Sequence, residues 1–379
     1  MKKFSIKNVL LYTGILAVTA LILIHTSATI EYAKKGLGIC YEIIIPSLFP
    51  FFICSGLLIY SGFSQLLSKV LGHVMKPLFR INGSGGVAFT LGIISGYPLG
   101  AITTCELYEA GYCSKTESER LLAFCNNSGP LFILGSVGIS LYHSPLIGWM
   151  MYIAHLLAAI TVGIVFRFYK RDQYLGIPAA ISQPKRTLGE VFSIVIQNSI
   201  KNILTVCGVI IFFSVIANLL INTIPAGGIA GAVFAGLIEF VTGVVGVSNS
   251  TLGLAQKLVV SSFIVGFAGL SVHFQVMGVV AQHGLSLKPY VFGKFLHGLI
   301  AALYMLVFLQ IIPVAQSVFG PIQSPMIMDS NGAFAVSALY VLTTVLCIIV
   351  LAVVCGISSF ISRSGRLKRR FRHCASNTK

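Results

Sequence analysis

The chain has 379 residues, of which 56% are apolar and 9% are charged, and its mean hydropathy is +0.92. Soluble domains carry about 25% charged residues, so this composition excludes an ordinary soluble fold. The net charge of +16 does not indicate nucleic-acid binding, because the basic residues flank apolar runs, as they do in membrane proteins.

Long uncharged segments define the class of protein. A membrane-spanning helix needs about 20 consecutive, mostly apolar residues. Spans of a β-barrel would alternate in stretches of about ten residues, and that pattern is absent. The sequence therefore predicts an all-α polytopic membrane protein. The segments without Asp, Glu, Lys or Arg are 8–30, 43–68, 121–166, 202–238, 258–287, 295–328 and 330–362.

Three basic clusters predict the orientation of the chain. They lie before residue 8, between residues 167 and 186, and after residue 362. The positive-inside rule places all three, and hence both termini, in the cytoplasm. The 23 uncharged residues of 8–30 exceed the 7–15 of a cleaved signal peptide, so we interpret them as a retained first span. Lys34 and Lys35 fall on the wrong side in this scheme.

This orientation requires each of two middle blocks to cross the membrane an odd number of times, in opposite senses. Inverted-topology repeats of this kind are typical of secondary transporters, whose sites lie where broken helices meet. The sequence thus predicts an inverted-repeat bundle with discontinuous or re-entrant helices. Its parts are an N-terminal helix (1–30), a first repeat (31–170), a basic cytoplasmic loop (171–186), a second repeat (187–315), an external loop (316–332), a last transmembrane helix (333–362) and a basic cytoplasmic tail (363–379).

The two blocks also share a pattern of residues. Three pairs of segments correspond by position: Gly85–Gly96 with Gly228–Glu239, Ser128–Leu131 with Ala268–Ser271, and Leu146–Phe166 with Tyr290–Leu309. The similarity is weak residue by residue. It nevertheless predicts a duplication in the chain.

The segment Gly92–Gly100 is the richest in unusual residues. Gly92, Gly96 and Gly100 form two overlapping G-x-x-x-G units, which in the simplest interpretation let two helices pack closely. Pro98, however, lacks an N–H and clashes with the preceding turn, and it biases Tyr97 away from helix. We therefore expect a discontinuous helix or a re-entrant hairpin, with Ser95, Gly96, Tyr97, Pro98 and Gly100 as substrate-binding residues.

A second break is expected at Asn126–Pro130, within an uncharged stretch. In the structural interpretation, Ser128 caps the helix that follows and Pro130 lies in its first turn. In the functional one, the helix N-terminus and the two amides bind a carboxylate. Asn126, Asn127, Ser128 and Gly129 are therefore candidate substrate-binding residues.

In the second block, Glu239 is the only acid between Glu190 and Asp329. Ionisable residues within a membrane indicate function by default, so we expect Glu239 to bind a coupling ion or to pair with Lys201, Lys257 or His273, unless it is a loop residue at the interface. Ser271 and His273 are further substrate-binding candidates.

Other polar residues receive structural interpretations. Lys294 is expected to extend its amine towards the membrane interface, and the charges within 102–120 are expected to be solvated. The nine cysteines show no C-x-x-C or zinc spacing, so we expect neither a metal site nor a disulfide framework. Motifs of enzymes and P-loops are absent, and no enzyme activity, cofactor or nucleic-acid partner is predicted.

Three motifs carry a resemblance to a known family. They are Pro46–Phe51, Ser95–Ala101 and Asn126–Phe132, which resemble the YlbJ (SpoVV) family of sporulation integral membrane proteins. Its halves are similar to Gate, or nucleoside-recognition, domains, which are also found in concentrative nucleoside transporters and ferrous-iron transport proteins. The resemblance covers roughly 35–315 and, in the second half, is one of pattern only.

The resemblance implies a permease that moves dipicolinic acid, a small aromatic dicarboxylate, across the outer forespore membrane of sporulating cells. The same polar groups would suit a nucleoside, so a nucleoside-type or other small-solute carrier is an alternative. A non-transporting membrane scaffold for spore assembly is another. Coupling to a proton or cation, and assembly into a homo-oligomer, are left open.

Overall fold

The computed structural model describes residues 6–60, 63–170, 187–223 and 228–312. The helices of its first part are α1 (Ile6–Ile24), α2 (Thr26–Ile39), π1 (a π-helix, Cys40–Ile44), α3 (Ile45–Tyr60), α4 (Phe63–Phe79), α5 (Gly85–Ser95), α6 (Leu99–Glu109), α7 (Lys115–Cys125), π2 (a π-helix, Leu131–Leu141) and α8 (Pro145–Phe166). Those of its second part are α9 (Leu188–Thr223), α10 (Gly228–Ile238), α11 (Phe240–Ser248), α12 (Leu254–Phe267), α13 (Gly269–Val280), a 3₁₀ turn (Ala281–His283) and α14 (Lys288–Ile311).

These ranges contain helices and no β-strand, and several helices are long and apolar enough to cross a membrane. Four qualify by length and composition: α8, α9, the pair α12–α13 (Leu254–His283) and α14. Large apolar side chains on their outer faces, such as Leu204 and Leu303, are more than half exposed, which suits contact with lipid. The prediction of an all-α polytopic membrane protein is confirmed. The predicted loop 171–186, external loop 316–332, last span 333–362 and tail 363–379 lie outside the described residues.

The predicted first span is not one straight helix. It breaks at His25, and Tyr12–Ile24 makes an angle of 99° with Thr26–Glu42. Lys34 and Lys35, which opposed the predicted orientation, belong to α2, where Lys35 lies 2.7 Å from Glu31. The break therefore separates these lysines from the apolar helix α1.

The first long helices of the two blocks lie antiparallel. The segments α2, π1 and α3 are contiguous and form one rod along α9. Gly36 contacts Ile211, the thiol of Cys40 lies 3.7 Å from the carbonyl of Cys207, and Gly56 contacts Val195. As the residue numbers increase along the rod, those of the residues it contacts in α9 decrease, so the two run antiparallel. An inverted repeat requires this arrangement of corresponding elements.

Each block next forms a helical hairpin. Residues eight apart in a straight α-helix are separated by about 12 Å, yet a Cβ added to Gly92 would lie 3.1 Å from the Cα of Gly100. A Cβ on Gly243 would likewise collide with the Cα of Gly236. We name α5–α6 hairpin 1 and α10–α11 hairpin 2. Of the two structures expected for Gly92–Gly100, the hairpin is the one found.

A broken helix and a long helix complete each block in the same order. In the first block, α7 ends at Cys125 and π2 resumes at Leu131, followed by α8. In the second, α12 and α13 are separated by Ala268, whose φ of 73° ends the α-helical geometry, and α14 follows. Because a hairpin returns to the side from which it starts, we expect this order to give three crossings per block. The sidedness in a membrane stays a prediction.

One end of the bundle is held together by buried charges, and we call it the charged end (Arg80, Glu119, Arg120, Lys170 and Ser286). The Glu119 carboxylate lies 2.7 Å from the Lys170 amine and accepts a hydrogen bond from the Ser286 amide at 3.1 Å. The Arg120 guanidinium donates to the carbonyls of Arg80, Tyr169 and Lys170. Of the charges within 102–120, Glu117, Glu119 and Arg120 are buried, and the prediction that they are solvated is wrong for these three. Glu109 and Lys115 are exposed, as expected.

The charged end joins the start of α7, the end of α8 and the turn before α14. Hydrogen bonding to Glu119 raises the pKa of Lys170 above its usual 10.5, so the ion pair is intact at neutral pH. Basic residues at the end of α8 are predicted to be cytoplasmic. The charged end is therefore the expected cytoplasmic end of the bundle.

Candidate functional site

A cavity of about 100 Å³ lies where the hairpin tips approach the helix breaks. The rod formed by α2, π1 and α3 and the helix α9 bound the cavity on one side, mainly with aliphatic side chains such as Leu48 and Ile210. Its polar and aromatic lining comes from Ser95, Gly96, Tyr97, Ser128, Gly129, Phe132, Ser136, Ser214, Glu239, Phe240 and Gln275.

The tip of hairpin 1 rests on the break of the first block by direct backbone contact. Gly96 has a φ of 87°, which favours glycine. A Cβ at Gly96 would lie 2.8 Å from the amide nitrogen of Gly129, and one at Gly129 would lie 3.3 Å from the carbonyl of Ser95. A side chain at Gly96 would collide with the break, and one at Gly129 would require the tip to shift by a few tenths of an ångström. The peptide between Tyr97 and Pro98 is cis.

Hairpin 2 makes the corresponding contact in the second block. Gly269, the first residue of α13, has a φ of 66°. A Cβ there would lie 3.0 Å from both the carbonyl of Gly236 and the amide of Phe240. Both blocks therefore bring a hairpin tip against a helix break. The tips of both hairpins contribute to one cavity.

Glu239 caps the N-terminus of α11. Its carboxylate accepts hydrogen bonds from the amides of Val241 (3.1 Å) and Thr242 (2.7 Å) and from the Thr242 hydroxyl (2.8 Å). Glu239 is 2% exposed, so it is not an interfacial loop residue. Among the described residues it makes no ion pair with Lys201, Lys257 or His273, and the expected pairing is wrong; Lys257 instead donates to the Ser248 carbonyl.

The N-terminus of π2 has no side-chain cap. Pro130 occupies the capping position, and no side chain accepts a hydrogen bond there. The prediction that Ser128 caps this helix is therefore wrong; its amide instead donates to His155 Nε2 at 3.0 Å. The first amides of a helix have no acceptor within it, so those of Leu131 and Phe132 remain available beside the cavity.

Three aromatic rings stand together in the cavity lining. The Phe240 ring lies edge-on to Phe132 at 5.1 Å and to Tyr97 at 5.7 Å. The hydroxyl of Ser95, which is 5% exposed, has no hydrogen-bond partner among the described residues. The cavity thus offers flat apolar surfaces, and one of its lining residues carries a buried hydroxyl that makes no hydrogen bond.

A buried lysine lies directly behind Tyr97. The amine of Lys294, on α14, donates to the Asn126 carbonyl (3.1 Å) and the Tyr97 hydroxyl (3.3 Å), and it lies 4.9 Å from the centre of the Tyr97 ring. The Tyr97 hydroxyl in turn donates to the Val265 carbonyl at 2.7 Å. Lys294 is 0% exposed, so the prediction that it extends to the interface is wrong.

The predicted binding residues divide into two groups. Ser95, Gly96, Tyr97, Ser128, Gly129 and Glu239 line the cavity. The remaining six lie outside its lining. Pro98 directly precedes α6, Gly100 packs against the Cys125 carbonyl, and the Asn126 carbonyl accepts a hydrogen bond from Lys294. The side-chain amide of Asn127 donates to the Phe124 carbonyl, and Ser271 and His273 are buried in α13.

Sequence reasoning missed several residues that the structure brings to the site. Phe132 follows one predicted break and Phe240 follows Glu239 directly, so their positions beside the breaks were the available signal. His155, whose ring centre lies 4.3 Å from that of His297 with the two rings tilted by 37°, gave no comparable signal. Lys294 was visible as an isolated charge between two uncharged segments.

The fold and this cavity define a class: helical integral membrane proteins built from re-entrant hairpins and broken helices. A family model described as nucleoside recognition (Gate) matches residues 42–127, which include hairpin 1 and the start of the first break. The chain is 32% identical over 337 residues to the sporulation integral membrane protein YlbJ of Bacillus subtilis (strain 168), covering 80% of this chain and 83% of that protein. The chain belongs to the YlbJ family of sporulation integral membrane proteins.

Proposed function

We propose that this protein is a permease for a small aromatic dicarboxylate, dipicolinic acid, and is not an enzyme. The observation that carries the proposal is the shared cavity of the two hairpin tips and the break of α7–π2. Irregular backbone is tolerated at membrane depth where it is enclosed by protein or lines a cavity. Binding between such elements is typical of secondary transporters.

The chemistry of the cavity supports an anionic aromatic solute. The uncapped N-terminus of π2 supplies amide donors and the positive end of a helix dipole, which favour a carboxylate. Tyr97, Phe132 and Phe240 supply faces and edges for an aromatic ring. Lys294 supplies a buried basic group behind this wall.

The proposed location is the outer forespore membrane of a sporulating cell, with both termini in the cytoplasm. Membership of a family named for a sporulation membrane protein supports this location. The charged end, which lies beside the basic residues after α8, supports the orientation.

Glu239 favours a second candidate, a nucleoside-type carrier. Its carboxylate lines the cavity and would repel a dianion, whereas it could accept hydrogen bonds from the hydroxyls of a sugar. The nucleoside-recognition description of the matching family model points the same way. The dicarboxylate remains the first candidate because Glu239 already accepts three hydrogen bonds from its own helix.

Uptake into liposomes tests the proposal. Purified protein should move labelled dipicolinate faster than protein-free liposomes, and excess unlabelled nucleoside should not compete. Uptake of nucleoside with no uptake of dipicolinate would establish the second candidate. A protein that moves neither solute would contradict both candidates and would favour a carrier of another small solute or a membrane scaffold for spore assembly.

A matched pair of serine variants tests the cavity itself. Ser95→Ala removes the free hydroxyl in the lining, and a hydrogen bond lost on binding is worth about 0.5–1.5 kcal/mol, or roughly a threefold to tenfold rise in KM for dipicolinate. Ser140→Ala, which removes an exposed hydroxyl bonded to the Gly135 carbonyl of π2, should leave KM unchanged. An equal effect of the two variants would exclude Ser95 from binding.

A further inference from the structure

Lys294 is a buried base without an acidic partner. The ion pairs of the described residues are Lys35 with Glu31, Lys170 with Glu119 and His283 with Glu109, all elsewhere in the fold. Lys294 is 0% exposed and lies on α14 between α7 and hairpin 1. Burial of an unpaired ammonium carries a large free-energy cost.

The hydrogen bonds of Lys294 match an amine better than an ammonium. An ammonium has three N–H donors, and the described residues provide two acceptors, the Asn126 carbonyl and the Tyr97 hydroxyl. A neutral amine has two N–H groups, which these acceptors satisfy. These two acceptors therefore favour the uncharged form of Lys294.

The groups around Lys294 supply no compensating negative charge. They are Tyr97 of hairpin 1, Cys125 and Asn126 of the first break, His155 of α8, His273 of α13, and Tyr290 and His297 of α14. The Ser128 amide donates to His155 Nε2, so that nitrogen carries no proton. His297 Nε2 lies 3.0 Å from the His155 carbonyl and donates to it. Both rings are accommodated as neutral imidazoles.

We propose that Lys294 carries the proton that accompanies the anionic solute across the membrane. The inference rests on the proposed function and names its coupling ion. Tyr97 connects the cavity to Lys294, since Tyr97 lines the cavity and its hydroxyl accepts a hydrogen bond from the Lys294 amine. A dicarboxylate in the cavity supplies the missing negative charge, and the Lys294 amine takes one proton from water to become an ammonium. When the anion leaves on the other side, the ammonium returns that proton to water there.

Lys294, and not Glu239, is therefore the residue proposed to bind the coupling proton. The three donors on the Glu239 carboxylate hold it in its capping position. Lys294 has no comparable structural role among the described residues: its two bonds reach a carbonyl at a helix break and a hydroxyl that already donates to Val265.

The first experiment needs no solute and compares the pH dependence of the thermal unfolding of wild type and Lys294→Met in detergent. An amine that is neutral when folded and charged when unfolded makes the unfolded state bind more protons, so stability rises with pH. The Tm of wild type relative to Lys294→Met should therefore rise from mildly acidic to mildly alkaline pH. Lys257→Met, which removes a partly buried lysine bonded to the Ser248 carbonyl, should show no such trend. A constant difference between wild type and Lys294→Met would show a permanent cation and overturn the proposal.

The second experiment follows protons and solute together in liposomes that contain a pH-sensitive dye. Addition of dipicolinate to wild type should acidify the interior, and Lys294→Met should lose this proton influx, while Lys257→Met retains it. Dipicolinate uptake by wild type without acidification would overturn the coupling and leave the proposed function intact. Absence of uptake by wild type would overturn the proposed function, and the solute-free titration would then decide the charge state of Lys294 by itself.

Discussion

At the scale of single residues, the site depends on glycines where one backbone touches another. The contact of Gly96 with Gly129 sets the position of the tip of hairpin 1 against π2, and that of Gly269 with Gly236 does the same for hairpin 2. A methyl group at such a position acts on the shape of the cavity without removing any polar group from it. Its effect therefore reports on geometry alone.

Gly129→Ala tests this dependence. Its Cβ would lie 3.3 Å from the amide of Gly96 and from the carbonyl of Ser95, so the tip must move by a few tenths of an ångström. We expect a loss of stability of about 1–3 kcal/mol from overpacking and a fall in dipicolinate uptake of about tenfold from misplaced binding groups. Thermal unfolding and liposome uptake measure the two effects.

Gly135→Ala is the control for this substitution, because Gly135 lies in π2, directly after the break that holds Gly129, and its Cβ would meet only Leu131 Cδ1, at 3.8 Å. It should keep both stability and uptake. Wild-type uptake by Gly129→Ala would contradict the proposed role of the contact between tip and break.

The sequence predicted the polar residues of the site better than it predicted their roles. Pro98 and the neighbouring glycines indicated a break, because their backbone properties are local. The roles of Glu239 and Lys294 depend on which helices surround them, and that is not local information. Glu239 caps α11, and Lys294 is enclosed by α7 and hairpin 1. The partners expected for Glu239 and the interfacial position expected for Lys294 were therefore wrong.

At the scale of elements, the alignment of the two blocks was the most informative prediction. Gly85–Gly96 and Gly228–Glu239 each contain the first helix of a hairpin and reach its turn. Glycines at regular spacing among apolar residues are typical of a helix that packs closely against another helix. This pattern is local, so the sequence could predict the first helix of each hairpin. The bend at His25 was not predictable in this way, since 8–30 is apolar on both sides of it.

The antiparallel packing of the rod (α2, π1 and α3) on α9 is testable by cross-linking. In a chain that retains only Cys40 and Cys207, mild oxidation should form a disulfide, because the Cys40 thiol lies 3.7 Å from the Cys207 carbonyl. Cleavage at a protease site inserted within 171–186 should then leave the two halves covalently joined until a reductant is added.

A chain that retains Cys54 and Cys207 is the control for this cross-link. Cys54 lies about 21 Å further along the rod than Cys40, and it should not cross-link under the same conditions. Equal cross-linking of both pairs would indicate collisions in the membrane rather than the packed arrangement of the two helices.

At the scale of the whole molecule, the two blocks enter the bundle from opposite ends. Hairpin 1 has its open end at the charged end, where Glu109 lies 3.5 Å from His283. Hairpin 2 is followed by α12–α13, which spans 30 residues from Leu254 to His283 and reaches the charged end only at its close. A cavity between two such hairpins is placed midway between the ends, where alternating access from the two sides requires it.

Labelling of cysteines introduced at the two ends of α12–α13 tests this topology directly. Thr251 and Gln282 are exposed, and 30 helical residues extend about 45 Å, which is more than the hydrocarbon core of about 30 Å. In a chain without its native cysteines, produced in the plasma membrane of non-sporulating cells, Thr251→Cys should react with a membrane-impermeant maleimide from outside intact cells. Gln282→Cys, at the expected cytoplasmic end, should react only after the membrane is permeabilised. Reaction of both positions from one side would show that α12–α13 does not cross, and the count of three crossings per block, with the inverted repeat that depends on it, would then be wrong.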